Sequence, residues 1–296
     1  MSMLVTKEPE TIGMLVAQAR QVLDQAGVSN AAREVSWLLE HALGLRSHQL
    51  ASDAERILSR EASDRVKSLV GRRAAREPLQ YILGTQEFCG LEFQVTPQTL
   101  IPRPETEVLI QEVVRRAERN KETLIVDVGT GSGCIAVTLA AILKEARLIG
   151  IDRSSDALNI AKNNASSHAV DGRIEWLEGD LLAPLTGRGF EGCVDIIVSN
   201  PPYIAESDWA ELQPEVRLFE PRSALVAGPQ GTEFHGRLLQ EAKQFLSVQG
   251  LLLMEIGQGQ AVAVQEMAKE IGGYAPVTLV EDAAGIERVA VAQRVE

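Results

Sequence analysis

Four consecutive residues, Asn200-Pro201-Pro202-Tyr203, combine a primary amide, two prolines and a phenol. Prolines lack an N–H and fix φ, so a pair of them stops a helix or a central strand. They follow Val194-Asp195-Ile196-Ile197-Val198, a mostly apolar run that reads as a buried strand. A rigid elbow is therefore expected at a strand end. The Asn200 side chain offers an acceptor oxygen and an NH₂ donor. That oxygen and a prolyl carbonyl can both accept from a substrate –NH₂ group, which fixes the nitrogen and orients its lone pair. Tyr203 can stack on the flat amide or base that carries it. A planar nitrogen conjugated to a carbonyl or a ring is a poor nucleophile, and alignment is what such an elbow supplies. Read alone, the motif is also a plain Pro-Pro strand stop.

A second constellation lies upstream. Gly129-Thr130-Gly131-Ser132-Gly133 connects an apolar strand, Leu124–Val128, to a helix. Glycines there let a backbone approach a ligand where side chains would collide. The spacing is G-x-G-x-G, whereas the dinucleotide fingerprint is G-x-G-x-x-G, which argues against a pyrophosphate ligand. By itself the loop is also an ordinary tight strand-to-helix turn. Asp152 ends the next strand, where an acid in a doubly wound sheet accepts both ribose hydroxyls of a nucleoside. Gly179-Asp180-Leu181 closes the third strand, and Asp180 reads equally as a ligand contact and as a turn former. These signals stand at successive strand C-termini beside the switch-point crevice, and together they favour a nucleoside cofactor.

The elements that must position these residues alternate. Strands are predicted at 124–128, 147–151, 174–177, 194–199 and 251–256, and helices at 134–144, 155–167, 232–246 and 261–271. Two β runs at 276–280 and 288–292, with no helix between them, add an antiparallel hairpin. The order predicts an α/β fold: a doubly wound, mostly parallel, seven-stranded sheet. Before it, residues 1–84 read as a helical bundle. Ile12, Leu15, Val16, Ala19, Val22 and Leu23 fall on one helix face. Val35, Leu38, Leu39 and Leu43 follow on a second, and Ile57, Leu58, Val66, Leu69 and Val70 point inward beyond it. The bundle lacks clustered carboxylates or histidines, so a lid or a docking role is expected of it. Residues 85–98, with Phe88, Leu91, Phe93 and Val95 around Gly90, read as a β-hairpin linker to a domain spanning 99–296.

Composition bounds the partners. A chain of 296 residues, 45% hydrophobic, can bury a full α/β core with a small domain beside it. A net charge of −12 repels phosphate backbones, which weighs against a nucleic-acid substrate. The densest basic stretch, Arg72-Arg73 and Arg76, reads as the solvated face of a helix. Cys89, Cys134 and Cys193 form no CxxC pair, which fits reduced cytosolic thiols better than a disulfide scaffold or a zinc site, and no metal is expected. No signal peptide and no membrane span are visible, so a cytoplasmic protein is expected.

The glycine loop, Asp152 and the Asn200–Tyr203 elbow, in this order, resemble the Rossmann-like class I S-adenosylmethionine methyltransferases that modify planar NH₂ nitrogens. Four further stretches are similar to the protein-glutamine N5-methyltransferases acting on peptide chain release factors. They are Glu77-Pro78-Leu79-Gln80-Tyr81-Ile82-Leu83-Gly84, Phe88-Cys89-Gly90-Leu91, Ile101-Pro102-Arg103-Pro104-Glu105-Thr106-Glu107 and Phe219-Glu220-Pro221-Arg222. The similarity runs from about Glu77 to Val291. It implies methylation of the glutamine in the release factor's Gly-Gly-Gln loop, which tunes translation termination. It implies that Gly129, Thr130, Gly131, Ser132, Gly133, Asp152 and Leu181, with Asp180 beside them, hold S-adenosylmethionine. Asn200, Pro201, Pro202 and Tyr203 are then the catalytic and substrate-binding residues, Asn200 bordering both ligands. Leu181 departs from relatives that carry an aromatic there, and Ala227-Gly228-Pro229-Gln230-Gly231 is less acidic than the family's usual loop. Two rival substrates share the elbow. Enzymes that methylate a glutamine of a large-subunit ribosomal protein differ at the Pro-Arg-Pro-Glu-Thr-Glu stretch. Amino-group DNA methyltransferases would need phosphate contacts that this charge disfavours.

Overall fold

The computed structural model describes residues 10–117 and 122–295. It divides into two compact units. One is made by the chain up to Gly84 together with Pro214–Phe219, and the other by Thr85–Gln213 and the chain from Glu220 onward.

The first unit packs α1 (Ile12–Gln25), α2 (Ala31–Leu43), α3 (Ser47–Ser52), α4 (Arg60–Ala74) and α5 (Leu79–Leu83). Side-chain hydroxyls open two of them. Thr11 accepts from the Met14 amide at 3.3 Å, and Ser59 accepts from the Ala62 amide at 3.2 Å. Gly44 and Gly84 end α2 and α5 in left-handed conformation. Leu15, Leu23, Val35, Leu38, Leu39, Val66 and Val70 form the buried core. Two expected core positions lie outside it, for Val22 is 41% exposed and Ile57 61%. Leu15, Ala19 and Leu23 make the buried stripe and Val22 sits one residue off it. Ile57 lies in an extended bridge to Thr11, not in a helix.

The basic stretch also differs from the expected solvated face. Arg73 is 6% exposed. Its Nε donates to Glu34 at 2.5 Å and its Nη1 to Glu215 at 3.0 Å, while Arg76 Nη2 reaches the other Glu215 oxygen at 2.7 Å. A buried guanidinium needs such partners, because a buried charge left unpaired is costly. Arg73 and Arg76 are thus paired with acids outside their own stretch, Glu34 and Glu215.

The second unit begins with a hairpin, β1 (Thr85–Phe88) and β2 (Leu91–Gln94). Its two turn residues, Cys89 and Gly90, both have positive φ, +51° and +76°, as a right-twisted two-residue hairpin requires. Then follow α6 (Thr106–Arg116), β3 (Leu124–Val128), α7 (Cys134–Ile142), β4 (Arg147–Asp152), α8 (Ser155–Ser167), β5 (Ile174–Glu178) and β6 (Val194–Ser199). A short strand β7 (Ile204–Ala205) and the helix α9 (Pro214–Phe219) precede β8 (Val226–Gly228), α10 (Glu233–Phe245) and β9 (Leu246–Glu255). The chain closes with α11 (Ala261–Ile271), β10 (Thr278–Glu281) and β11 (Glu287–Gln293).

The main sheet has seven strands in the order β10-β11-β9-β6-β3-β4-β5. β3 pairs in parallel with β4 and β6, β4 with β5, and β6 with β9; β11 runs antiparallel between β9 and β10. This is the doubly wound, mostly parallel sheet with a terminal hairpin that the alternation predicts. β9 starts five residues before its expected position, because Leu246 already pairs with Val194 across an irregularity that admits Gly250. One face of the sheet packs on α10 and α11 through Leu238, Leu239 and Val264. The other packs on α6, α7, α8 and the β1–β2 hairpin through Phe88, Leu109 and Leu139. The strand order reverses at β3, so β4 and β6 diverge on either side of its C-terminal end and leave a crevice there. Among the described residues, no helix is long and apolar enough to cross a membrane.

Candidate functional site

The crevice is an open cleft with about 1000 Å³ of empty space. Gly129 and Gly131 line it after β3, Asp152 to Ser154 after β4, Gly179 to Leu181 after β5, and Ser199 to Pro202 after β6. The sites read from separate motifs thus converge at four neighbouring strand ends.

The glycine loop explains its own spacing. Gly129, Gly131 and Gly133 have φ values of +73°, +55° and +80°, so every second residue is left-handed. The intervening side chains turn into the protein, with Thr130 3% and Ser132 2% exposed. The Thr130 hydroxyl donates to Asp127 Oδ2 at 2.6 Å, and the Ala136 amide reaches the same oxygen at 3.1 Å. Burial pushes the Asp127 carboxyl up to about 7. Gly133 starts α7 tight against α8, where an added Cβ would sit 3.0 Å from the Ala161 Cβ. Thr130, Ser132 and Gly133 therefore shape the loop from beneath, and Gly129 and Gly131 present its backbone to the cleft.

Asp152 is held at both oxygens. Gly131 N–H donates to Oδ2 and Ser154 N–H to Oδ1, each at 2.9 Å. Burial raises its carboxyl above the ordinary value, and these two amides oppose that shift. Ser154 caps α8 through the Ala157 amide at 3.2 Å, which leaves the Asp152 carboxylate free of that duty. At the rim Asp180 accepts from Arg237 Nη2 at 2.7 Å. Leu181 has φ +46° and lines the cleft with Phe234, an aromatic one residue into α10 that the motifs did not flag. Its signal was its position just after the glycine-containing stretch 228–231.

At the elbow, Asn200, Pro201 and Pro202 line the cleft, and Tyr203 does not. The Tyr203 side chain is instead hydrogen-bonded to Glu255, the last residue of β9. Burial raises the Tyr203 phenol well above its ordinary value. The Asn200 amide nitrogen donates to the Thr106 hydroxyl at 3.0 Å. That hydroxyl donates in turn to Glu255 Oε2 at 2.7 Å. Gln260 ties the elbow from below, with Nε2 donating to the Tyr203 carbonyl at 2.8 Å and to the Gly231 carbonyl at 3.1 Å. Glu220 links two of the quoted motifs, accepting from the Ile101 amide at 3.2 Å and from Arg103 Nη2. Thr106 and Glu220 belong to stretches quoted for the family resemblance, but Glu255 and Gln260 carried no sequence signal beyond ending a strand and following it.

The arrangement fits S-adenosylmethionine. A Cβ on Gly129 would meet no protein atom within 4 Å, so the missing side chain leaves room on the cleft side of the loop. In that fit Asp152 would supply ionic acceptors for vicinal hydroxyls, and Leu181 and Phe234, which line the same cleft, would supply apolar surface for a base.

Comparison with known proteins agrees with the geometry. Residues 14–84 match the family described as PrmC N-terminal domain, and residues 104–220 match the methyltransferase small domain. A release factor glutamine methyltransferase of Geobacter sulfurreducens is 44% identical, over 96% of this chain and 98% of its own length. The enzyme of that name from Moorella thermoacetica is 40% identical, over 97% and 99% respectively. Among solved structures, the human METTL16 catalytic domain in complex with an RNA hairpin aligns at a TM-score of 0.57 and 19% identity. That alignment covers 77% of this chain and 83% of the other. A methyltransferase from Pyrococcus furiosus aligns at 0.53 and 16% identity, covering 76% and 99%. Fold and site together define a class I methyltransferase. Within that class, the chain belongs to the release factor glutamine methyltransferase family.

Proposed function

We propose that this chain transfers a methyl group from S-adenosylmethionine to the side-chain amide N5 of the glutamine in the Gly-Gly-Gln loop of class I peptide chain release factors. The observation that carries the reading is the placement of Asn200 and Pro201 on the same cleft as Gly129, Gly131 and Asp152. When bound, S-adenosylmethionine supplies an electrophilic methyl group on a sulfonium.

The chain's own residues do the rest. Gly129 and Gly131 offer backbone without side-chain obstruction, and the Asp152 carboxylate accepts the ribose hydroxyls. Leu181 and Phe234 flank the base. On the substrate side, the Asn200 side-chain oxygen and the Pro201 carbonyl accept the two hydrogens of the glutamine NH₂. That holds the weak nucleophile with its lone pair aimed across the cleft, and alignment accounts for most of the rate such a reaction gains. The prolines keep the elbow rigid, so little reorganisation is needed. The alkylated amide nitrogen is acidic enough to release its proton to water, and no strong general base is required of the elbow. The reaction belongs in the cytoplasm, where release factors act.

The test is methyl transfer to purified release factor, followed by mass mapping of the product. Label on the Gly-Gly-Gln glutamine is the expected result. Preferential label on a large-subunit ribosomal protein, or on DNA, overturns the substrate assignment.

A further inference from the structure

The Thr106 hydroxyl has a single hydrogen, and it stands between two polar side chains. It donates to Glu255 Oε2 at 2.7 Å and accepts from Asn200 Nδ2 at 3.0 Å. The direction of each bond constrains the other. An ionised Glu255 accepts only, so Thr106 must turn its hydrogen toward it and its lone pairs toward Asn200. Asn200 must then present its NH₂ inward, and its carbonyl oxygen is left for the cleft. We propose that Thr106 and Glu255 are positioning residues that set which end of the Asn200 amide faces the substrate, through this one-way chain of hydrogen bonds. The inference rests on the role given to Asn200 under the proposed function.

Protonation of Glu255 removes the constraint. A neutral carboxyl can donate to Thr106, whose hydrogen is then free to point at Asn200. The amide can reverse, placing NH₂ against the substrate NH₂, where two donors meet and the nucleophile is lost. The setting makes this reversal accessible near neutral pH. Glu255 is 2% exposed. Glu105 from the approach to α6 and Arg288 from β11 are the charges that act on its carboxyl, and Tyr203 hydrogen-bonds it. Arg288 is already matched by Asp282 at 2.9 Å. His235 of α10 meets the Glu255 carbonyl through Nε2 at 2.8 Å, and burial lowers its pKa, which keeps it neutral. With little compensating charge, burial pushes the Glu255 carboxyl up to about 7. Glu255 is ionised above that value, so activity is gained as pH rises through it and lost as pH falls.

Two readouts test this in the full-length protein. In the first, asparagine side chains are labelled with ¹⁵N and the Asn200 NH₂ signal is followed from pH 6 to 8.5 without substrate. A single titration with midpoint near 7 is expected, absent in Glu255→Gln. An Asn200 signal that does not move in the wild type overturns the inference whether or not the release factor is the substrate. In the second, kcat and KM for release factor are measured beside S-adenosylmethionine affinity. Thr106→Val should lose about 10- to 100-fold in kcat with cofactor affinity unchanged. Thr106→Ser, which keeps the hydroxyl, should restore most of it, and Glu255→Gln should lose the acid limb of the pH profile. Thr106→Ser as defective as Thr106→Val would show a packing role and overturn the inference. A wild type that leaves release factor unmethylated would overturn the proposed substrate alone, and the titration would still decide this point.

Discussion

Two carboxamide and carboxylate side chains, Asn200 and Asp152, divide the work at the cleft, and each has a distinct expected signature. In the proposed binding mode Asp152 offers charge-assisted hydrogen bonds to hydroxyls, from a carboxylate already oriented by the Gly131 and Ser154 amides. Asp152→Ala should weaken S-adenosylmethionine binding at least tenfold, corresponding to ~1.5–3 kcal/mol for bonds of this type. Calorimetry reads it directly, and an unchanged affinity would remove Asp152 from the cofactor site. In the proposed reaction Asn200 acts on the nucleophile. For Asn200→Ala, turnover should collapse far more than cofactor affinity, because the interaction lost is one that matters in the transition state. Steady-state kinetics beside calorimetry separates the two effects. Turnover within a few-fold of the wild type would sink the alignment mechanism.

The elements that carry these residues are held by contacts far apart in the chain. The elbow's carbonyl at Tyr203 and the loop at Gly231 approach so closely that Gln260 bonds both. Gly231 has φ +80°, and a Cβ there would lie 2.7 Å from the Tyr203 carbonyl oxygen. Gly231→Ala should therefore push the elbow away. A stability loss of about 1–3 kcal/mol is expected from the overpacking, with kcat reduced about tenfold or more as the elbow shifts. A thermal scan and kinetics on the same sample check both, and an unchanged kcat would show that this loop does not hold the elbow. In the helical unit, Arg73 is the buried centre of an ion-pair cluster with Glu34 and Glu215. Arg73→Ala leaves two carboxylates short of a partner and should cost ~3–5 kcal/mol. Denaturation followed by Trp37 fluorescence would report it, Trp37 lying in α2 of the same unit.

At the scale of the molecule, the six residues Pro214–Phe219 leave the sheet-bearing unit to join the helical one, and the chain returns at Glu220. This segment lies between the elbow and Pro221, which lines the cleft. We propose that the helical unit docks the body of the release factor. Intact release factor should accordingly exceed a short peptide bearing the Gly-Gly-Gln loop by about 100-fold or more in kcat/KM, the gain typical of a second tethered contact. Removing the chain before Leu83 should erase most of that gap and leave S-adenosylmethionine affinity largely intact. Equal kcat/KM for peptide and protein would refute the dock.

Local rules carried much of this protein. The alternating strands and helices, the glycine loop, Asp152 and the Asn200–Tyr203 elbow were legible because each depends on a short stretch: periodicity, turn chemistry, or residues that share a strand end. Strand order follows from short right-handed connections, which is why the convergence of the motifs on one crevice was foreseeable. What tertiary structure alone decided was the orientation and pairing of side chains. Thr130 and Ser132 turn beneath the loop, and the Tyr203 side chain bonds Glu255. Arg73 is buried against Glu215, a partner 142 residues away. Phe234, Glu255 and Gln260 join the site from elements far along the chain. No spacing rule encodes such meetings, because a hydrogen bond or a packed ring depends on distance in space, and sequence fixes that distance only through the whole fold.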